Sequence, residues 1–150
     1  MDACRRQTTI PELYTLSFRI AAQAHRGQVD KGGRPYLLHP LAVARQVSGT
    51  ESKILALLHD VPEDTDVSLE QLAPLLPPRL LKSLKLLTRQ PGQPYSEYIE
   101  QLAQDPMAAQ VKLADLTHNM DLRRIPHPTE KDFQRLEKYQ KAYTYLKERI

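Results

Sequence analysis

Residues 55–65, LALLHDVPEDT, decide how the chain is read. Together with Ile54, the residues Leu55, Leu57 and Leu58 make the helix expected over 52–60 apolar around most of its circumference, and a helix of that kind lies at the centre of a bundle. Pro62 disfavours helical geometry at Val61 and ends it. The run then delivers His59, Asp60, Glu63 and Asp64 within six positions. Ionised carboxylates at the end of a buried helix are costly unless something compensates them, and a bound cation does so most simply.

The sequence on both sides of this run also reads as helix. A first helix starts at Thr9 or Pro11 and runs to about His25, with Leu13, Leu16, Ile20 and Ala24 on one stripe. Residues 26–35, RGQVDKGGRP, are polar, carry three glycines and form a loop. A second helix opens near His39 and Pro40. Ser68 and Gln71 form a capping box, and further helices follow Pro77-Pro78, Tyr95 and Asp105-Pro106. Thr129 with Asp132 opens the last helix, which carries Phe133, Leu136, Tyr139, Tyr143 and Leu146. Composition agrees: 23 leucines and 13 alanines stand against 12 valines and isoleucines together, which favours helix over pleated sheet. The expected fold is all-α, a single domain over residues 1–150 of about eight short helices, with 1–8 a flexible arm.

Length and charge remove several function classes. A chain of 150 residues holds one core. No run of eighteen apolar residues is available to span a membrane, and the N-terminus has no apolar signal core. One cysteine, Cys4, cannot pair within the chain and suits a reducing, cytoplasmic setting. The net charge of +3 comes from scattered basic residues rather than a stripe, so neither a nucleic acid nor a membrane is an expected partner. The sequence says nothing of oligomeric state.

Two more residues join the His-Asp run as candidate ligands. His39 sits at the mouth of the second helix, facing the polar loop. Asp115 lies among Val111, Leu113, Ala114 and Leu116, where a lone carboxylate needs a cation, a donor or a metal. Lys112 and Asn119 share its helical face. Alone, His39 is more often a capped residue than a ligand, and Asp115 could simply pair with Lys112. His25, His118 and His127 read as surface residues or as supports behind the ligands.

Taken in order, AAQAHRGQVDKGGRPYLLHPLAVA, ALLHDVPEDT and VKLADLTHNM resemble the HD-superfamily hydrolase domain of RelA/SpoT-type enzymes, which degrade the alarmone (p)ppGpp. The resemblance covers about residues 16–150. The chain ends where bifunctional members would continue into a synthetase domain, so its layout is similar to a stand-alone small alarmone hydrolase such as the metazoan SpoT homologue. The resemblance implies an HD-domain fold, with His39, His59, Asp60 and Asp115 holding one divalent ion, in that family usually manganese. It makes Glu63 and Asp64 the pair that orients or deprotonates the water activated by that ion. It places Lys31, Asn119 and, on the last helix, Tyr139 against a small-molecule nucleotide. The implied reaction is removal of the 3′-pyrophosphate from (p)ppGpp or a close analogue such as (p)ppApp.

Two departures bear on the substrate. Where the family commonly has Arg-Lys before Pro-Tyr, this chain has Asp30-Lys31, and after Asn119 the usual Arg-Thr is Asp121-Leu122. An aspartate facing a polyphosphate is repulsive, so Asp30→Arg is expected from sequence to lower KM for ppGpp. Another nucleotide phosphatase of the superfamily, for example one acting on NADPH, and a metal- and nucleotide-binding regulatory domain without turnover remain as alternatives.

Overall fold

A computed structural model describes residues 8–150 of the chain. The arm expected over 1–8, apart from Thr8, and Cys4 with it, lie outside the described residues. Within them nine helical segments follow one another: α1 (Ile10–Ala24), α2 (Leu38–Gln46), α3 (Thr50–Leu58), α4 (Val61–Asp64), α5 (Leu69–Leu72), α6 (Pro78–Leu87), α7 (Tyr95–Leu102), α8 (Pro106–Asn119) and α9 (Glu130–Lys147). Single 3-10 turns lie at Ala73–Leu75 and Leu122–Arg124. The all-α expectation holds. The helix beyond the expected eight is α4: Pro62 does stop α3, but it also occupies the first turn of a new four-residue helix, where its missing N–H costs nothing.

Helix starts follow their caps. The Thr9 side chain accepts the Glu12 N–H, Ser68 and Gln71 cap each other's ends, and the Asp105 carboxylate accepts the N–H groups of Met107 and Ala108. The α9 entry is held by Asp132, whose carboxylate accepts the Thr129 N–H at 2.8 Å. Asp132 thereby takes the buried place in the first turn of α9, and Phe133, about 100° further round, is 49% exposed. The apolar contact of α9 is made lower down, by buried Ala142 and Leu146 with partly buried Tyr139, Tyr143 and Tyr145 packed against the core beside them.

Helix α3 is the centre of the bundle, packed on α1, α2, α6 and α8. Ile54, Leu55, Ala56, Leu57 and Leu58 are all buried, because neighbours cover every face, as an all-round apolar helix requires. Leu57→Ala is expected to destabilise the protein by about 2–5 kcal/mol, the cost of a buried leucine plus its residual cavity. Urea unfolding followed by circular dichroism would measure it. The polar ends of α3, α2 and α8 meet at one side of this core, and the functional residues collect there.

Candidate metal centre

Each ligand candidate is delivered by an element with an independent reason to be where it is. His39 stands in the first turn of α2, His59 caps the C-terminus of α3, Asp60 leads into α4, and Asp115 faces inward from α8. His39, His59 and Asp115 are buried. One ligand atom from each of the four falls within 4.8 Å of all the others. His39 Nε2 lies 2.8 Å from Asp115 Oδ1 and 3.4 Å from Asp60 Oδ2. His59 Nε2 lies 3.2 Å from Asp60 Oδ2 and 3.4 Å from Asp115 Oδ1.

The outward-facing nitrogens fix the tautomers. His59 Nδ1 is 2.5 Å from the Ala56 carbonyl, which can only accept, so Nδ1 carries the proton. His39 Nδ1 is 2.7 Å from His118 Nδ1, with the two rings stacked 5.0 Å apart. Burial, then the nearby Arg124 and His39, push the His118 pKa down to about 4. His118 is therefore neutral near pH 7 and able to accept from His39, which leaves His39 Nε2 bare when Nδ1 carries its proton. With the proton on Nδ1, each ring turns Nε2 toward two carboxylate oxygens, an arrangement that calls for a cation between them. Without a metal, a proton takes that place. Burial alone would lower the His59 pKa, but Asp60 and Asp115 outweigh it and raise it well above the ordinary value. The donor set of two imidazoles and two carboxylates, with no thiolate, fits one divalent ion.

The carboxylates are held as well as aimed. Tyr36 donates its hydroxyl to Asp60 Oδ2 at 2.6 Å. Asp115 receives Lys112 Nζ on Oδ2 at 2.8 Å and Asn119 Nδ2 on Oδ1 at 2.9 Å. Burial works against the Asp115 anion, but Lys112 and the two histidines hold its carboxyl well below the usual range.

The centre forms the floor of a cleft of about 440 Å³. Glu63 and Asp64 lie on its wall, exposed, with the Glu63 carboxylate accepting the Arg89 backbone N–H. Desolvation by the surrounding atoms raises both their pKa values, and neighbouring carboxylates add to this. Lys31, Asn119 and Tyr139 also line the cleft, so the structure brings all nine candidate residues to one site. Of the three residues expected to bind the nucleotide, two are held by other groups of the cleft: Lys31 Nζ is 2.6 Å from Asp132 Oδ1, and Asn119 Oδ1 accepts from Arg124 at 3.2 Å.

The far rim of the cleft was not legible from the sequence. Arg89, Arg135 and Lys138 lie there with Tyr95, and Lys138 Nζ stands 4.0 Å above the Tyr95 ring. They come from α9, the start of α7 and the loop before it, which no sequence spacing connects. His25 is also buried, at 2% exposure, and not a surface residue.

Asp30 lines the cleft, and its carboxylate is also engaged within its own loop. Its Oδ1 accepts the N–H groups of Gly32 and Arg34, each at 2.9 Å, and Oδ2 lies 3.7 Å from Arg124. The loop is pressed so closely onto the 3-10 turn that a Cβ at Gly32 would meet the Arg124 carbonyl at 2.6 Å. Asp30 therefore ties the loop together, its charge answered by Arg124 from another element.

No protein-family model matches the chain. Among curated proteins it is 38% identical over 116 residues to a guanosine-3′,5′-bis(diphosphate) 3′-pyrophosphohydrolase of Haemophilus influenzae, covering 67% of this chain and 17% of that protein. It is 36% identical over 130 residues to a probable enzyme of the same name from Synechocystis, covering 76% of this chain and 17% of that protein. A solved structure, described as a metazoan orthologue of SpoT that hydrolyses ppGpp and plays a role in starvation responses, matches with a TM-score of 0.74 at 26% identity. That match covers 89% of this chain and 84% of the other. Over two thirds or more of its length the chain is thus similar to RelA/SpoT-type hydrolases. It spans under a fifth of the length of the curated relatives it matches.

Proposed function

We propose that this RelA/SpoT-type domain is a metal-dependent hydrolase that removes the 3′-pyrophosphate from (p)ppGpp or a close analogue. The observation that carries the reading is the convergence of four ligand atoms at the floor of a cleft, with two carboxylates, Glu63 and Asp64, on the wall beside them. His39, His59, Asp60 and Asp115 hold the ion, and manganese is our choice of metal. When bound, such an ion lowers the pKa of water toward neutrality and polarises a phosphoryl oxygen.

The remaining work falls to the chain. Water attacks the phosphorus joined to the 3′ oxygen, and the P–O3′ bond breaks. Glu63 and Asp64 accept the proton of the attacking water and manage its delivery to the departing 3′ oxygen. Their raised pKa values suit groups that must both take and give a proton. Lys31, Asn119 and Tyr139 bind the nucleotide, while Arg89 and Lys138 offset phosphate charge at the rim. The solved relative described as hydrolysing ppGpp supports the substrate class.

Three measurements follow. Turnover of ppGpp, pppGpp, ppApp and NADPH with manganese, before and after chelation, tests substrate class and metal together. Metal-dependent loss of the alarmones is expected, and hydrolysis of NADPH alone would overturn the assignment. Ion uptake must also displace the proton shared at His59, so affinity should fall as pH drops and binding should release protons. Calorimetry in buffers of different ionisation enthalpy would show this, and a pH-independent affinity would contradict it. Lastly, the expectation for Asp30→Arg reverses. The change removes the acceptor of two loop N–H groups and sets a guanidinium against Arg124, so KM for ppGpp should rise rather than fall.

A further inference from the structure

Helix α4 carries the proton-handling pair on only four residues, too short to be stable by itself. Its internal bonds are few: Asp64 N–H to the Asp60 carbonyl at 2.9 Å, and Thr65 N–H to the Val61 carbonyl at 3.1 Å. Glu63 is steadied by the Arg89 backbone. The Asp64 carboxylate accepts no hydrogen bond among the described residues, so Asp64 is placed through its backbone.

One side chain reaches that backbone from the loop after α1. Gln28 Nε2 donates to the Asp64 carbonyl at 2.8 Å, across 36 positions of sequence. Its other end is fixed too: Gln28 Oε1 lies 2.8 Å from His25 Nδ1. An amide oxygen only accepts, so His25 Nδ1 donates, and the Gln28 amide cannot flip without losing its bond to the Asp64 carbonyl. His25 is buried and packs its ring 4.9 Å from that of Tyr36, whose hydroxyl holds Asp60. The Gln28 backbone carbonyl accepts the Tyr36 N–H at 2.9 Å. Gln28 and His25 thus tie both ends of the acidic turn, Asp60 and Asp64, to one loop.

We infer that His25 and Gln28 are positioning residues, a half-buried strut that sets Asp64 and Glu63 against the metal centre without touching substrate. This rests on the reading of Glu63 and Asp64 as the proton-handling pair. A strut acting on geometry changes the chemical step and leaves substrate affinity and metal content alone.

The test uses Gln28→Ala, Gln28→Glu, His25→Ala and His25→Asn in the whole chain. Both Gln28 variants lose the donor to Asp64, and kcat should fall about 10–100-fold, the usual cost of losing a supporting contact behind a metal site, with KM and bound metal unchanged. His25→Ala should match them, and the double Ala variant should be no worse than either single one, because the two act as one unit. His25→Asn places an amide donor near the lost Nδ1 and should restore turnover. Unchanged kcat in all variants, or a loss confined to thermal stability, would overturn the inference. Hydrogen exchange at the Asp64 and Thr65 amides gives a second readout that needs no turnover. Exchange should quicken there in Gln28→Ala and stay unchanged along α3, and equal exchange in variant and wild type would overturn the strut. If the wild-type protein turns over no nucleotide, the functional reading fails while the exchange result still decides the strut.

Discussion

His59→Ala should yield a folded protein that neither holds a divalent ion nor hydrolyses nucleotide. The substitution removes one of four converging donors and leaves Asp60 and Asp115 facing each other with a single imidazole between them. Asp60→Asn is the milder companion. It keeps an oxygen to accept the Tyr36 hydroxyl but removes a charge, and should weaken the ion by at least the roughly 10–100-fold typical of losing a mere supporting contact. Elemental analysis after gel filtration should find about one ion per chain in the wild type and none in His59→Ala, with far-ultraviolet dichroism unchanged. Full activity in metal-free His59→Ala protein would remove the ion from the account.

Glu63→Gln should separate binding from chemistry. The substitution is isosteric, and its amide oxygen can still accept the Arg89 N–H, so α4 stays in place. Only the ability to take and return a proton is lost. Turnover should fall by roughly two to four powers of ten, the scale of general acid–base catalysis, with metal content and KM held. Single-turnover kinetics would locate the loss in the chemical step. Retained turnover would make Glu63 a rim carboxylate and leave the role to Asp64 alone.

What could be read from the sequence follows a physical division. The α3 pattern of Ile54, Leu55, Leu57 and Leu58, and the caps at Thr9, Ser68 and Asp105, are local signals that tertiary packing reinforces, so the helices fall where spacing puts them. His39, His59, Asp60 and Asp115 stand out because polar groups in apolar settings need a reason. The continuation of helix at α4 was not legible, since Pro62 both stops one helix and opens the next. Nor was the role of His25, which looks like the polar end of α1 until the loop folds Gln28 and Tyr36 over it. The engagement of Asp30 was hidden for the same reason: the charge that answers it, Arg124, lies far along the chain. Long-range pairings between charged loop residues leave no periodic trace.

The most direct test of the central claim is the product balance of one reaction. Wild-type protein loaded with manganese is mixed with ppGpp and followed by phosphorus NMR. Cleavage of the P–O3′ bond predicts pyrophosphate and GDP appearing in equal amounts, with no orthophosphate, and the reaction ceasing when a chelator strips the ion. Orthophosphate as the released product, or unchanged ppGpp in the presence of protein that holds its ion, would contradict the account.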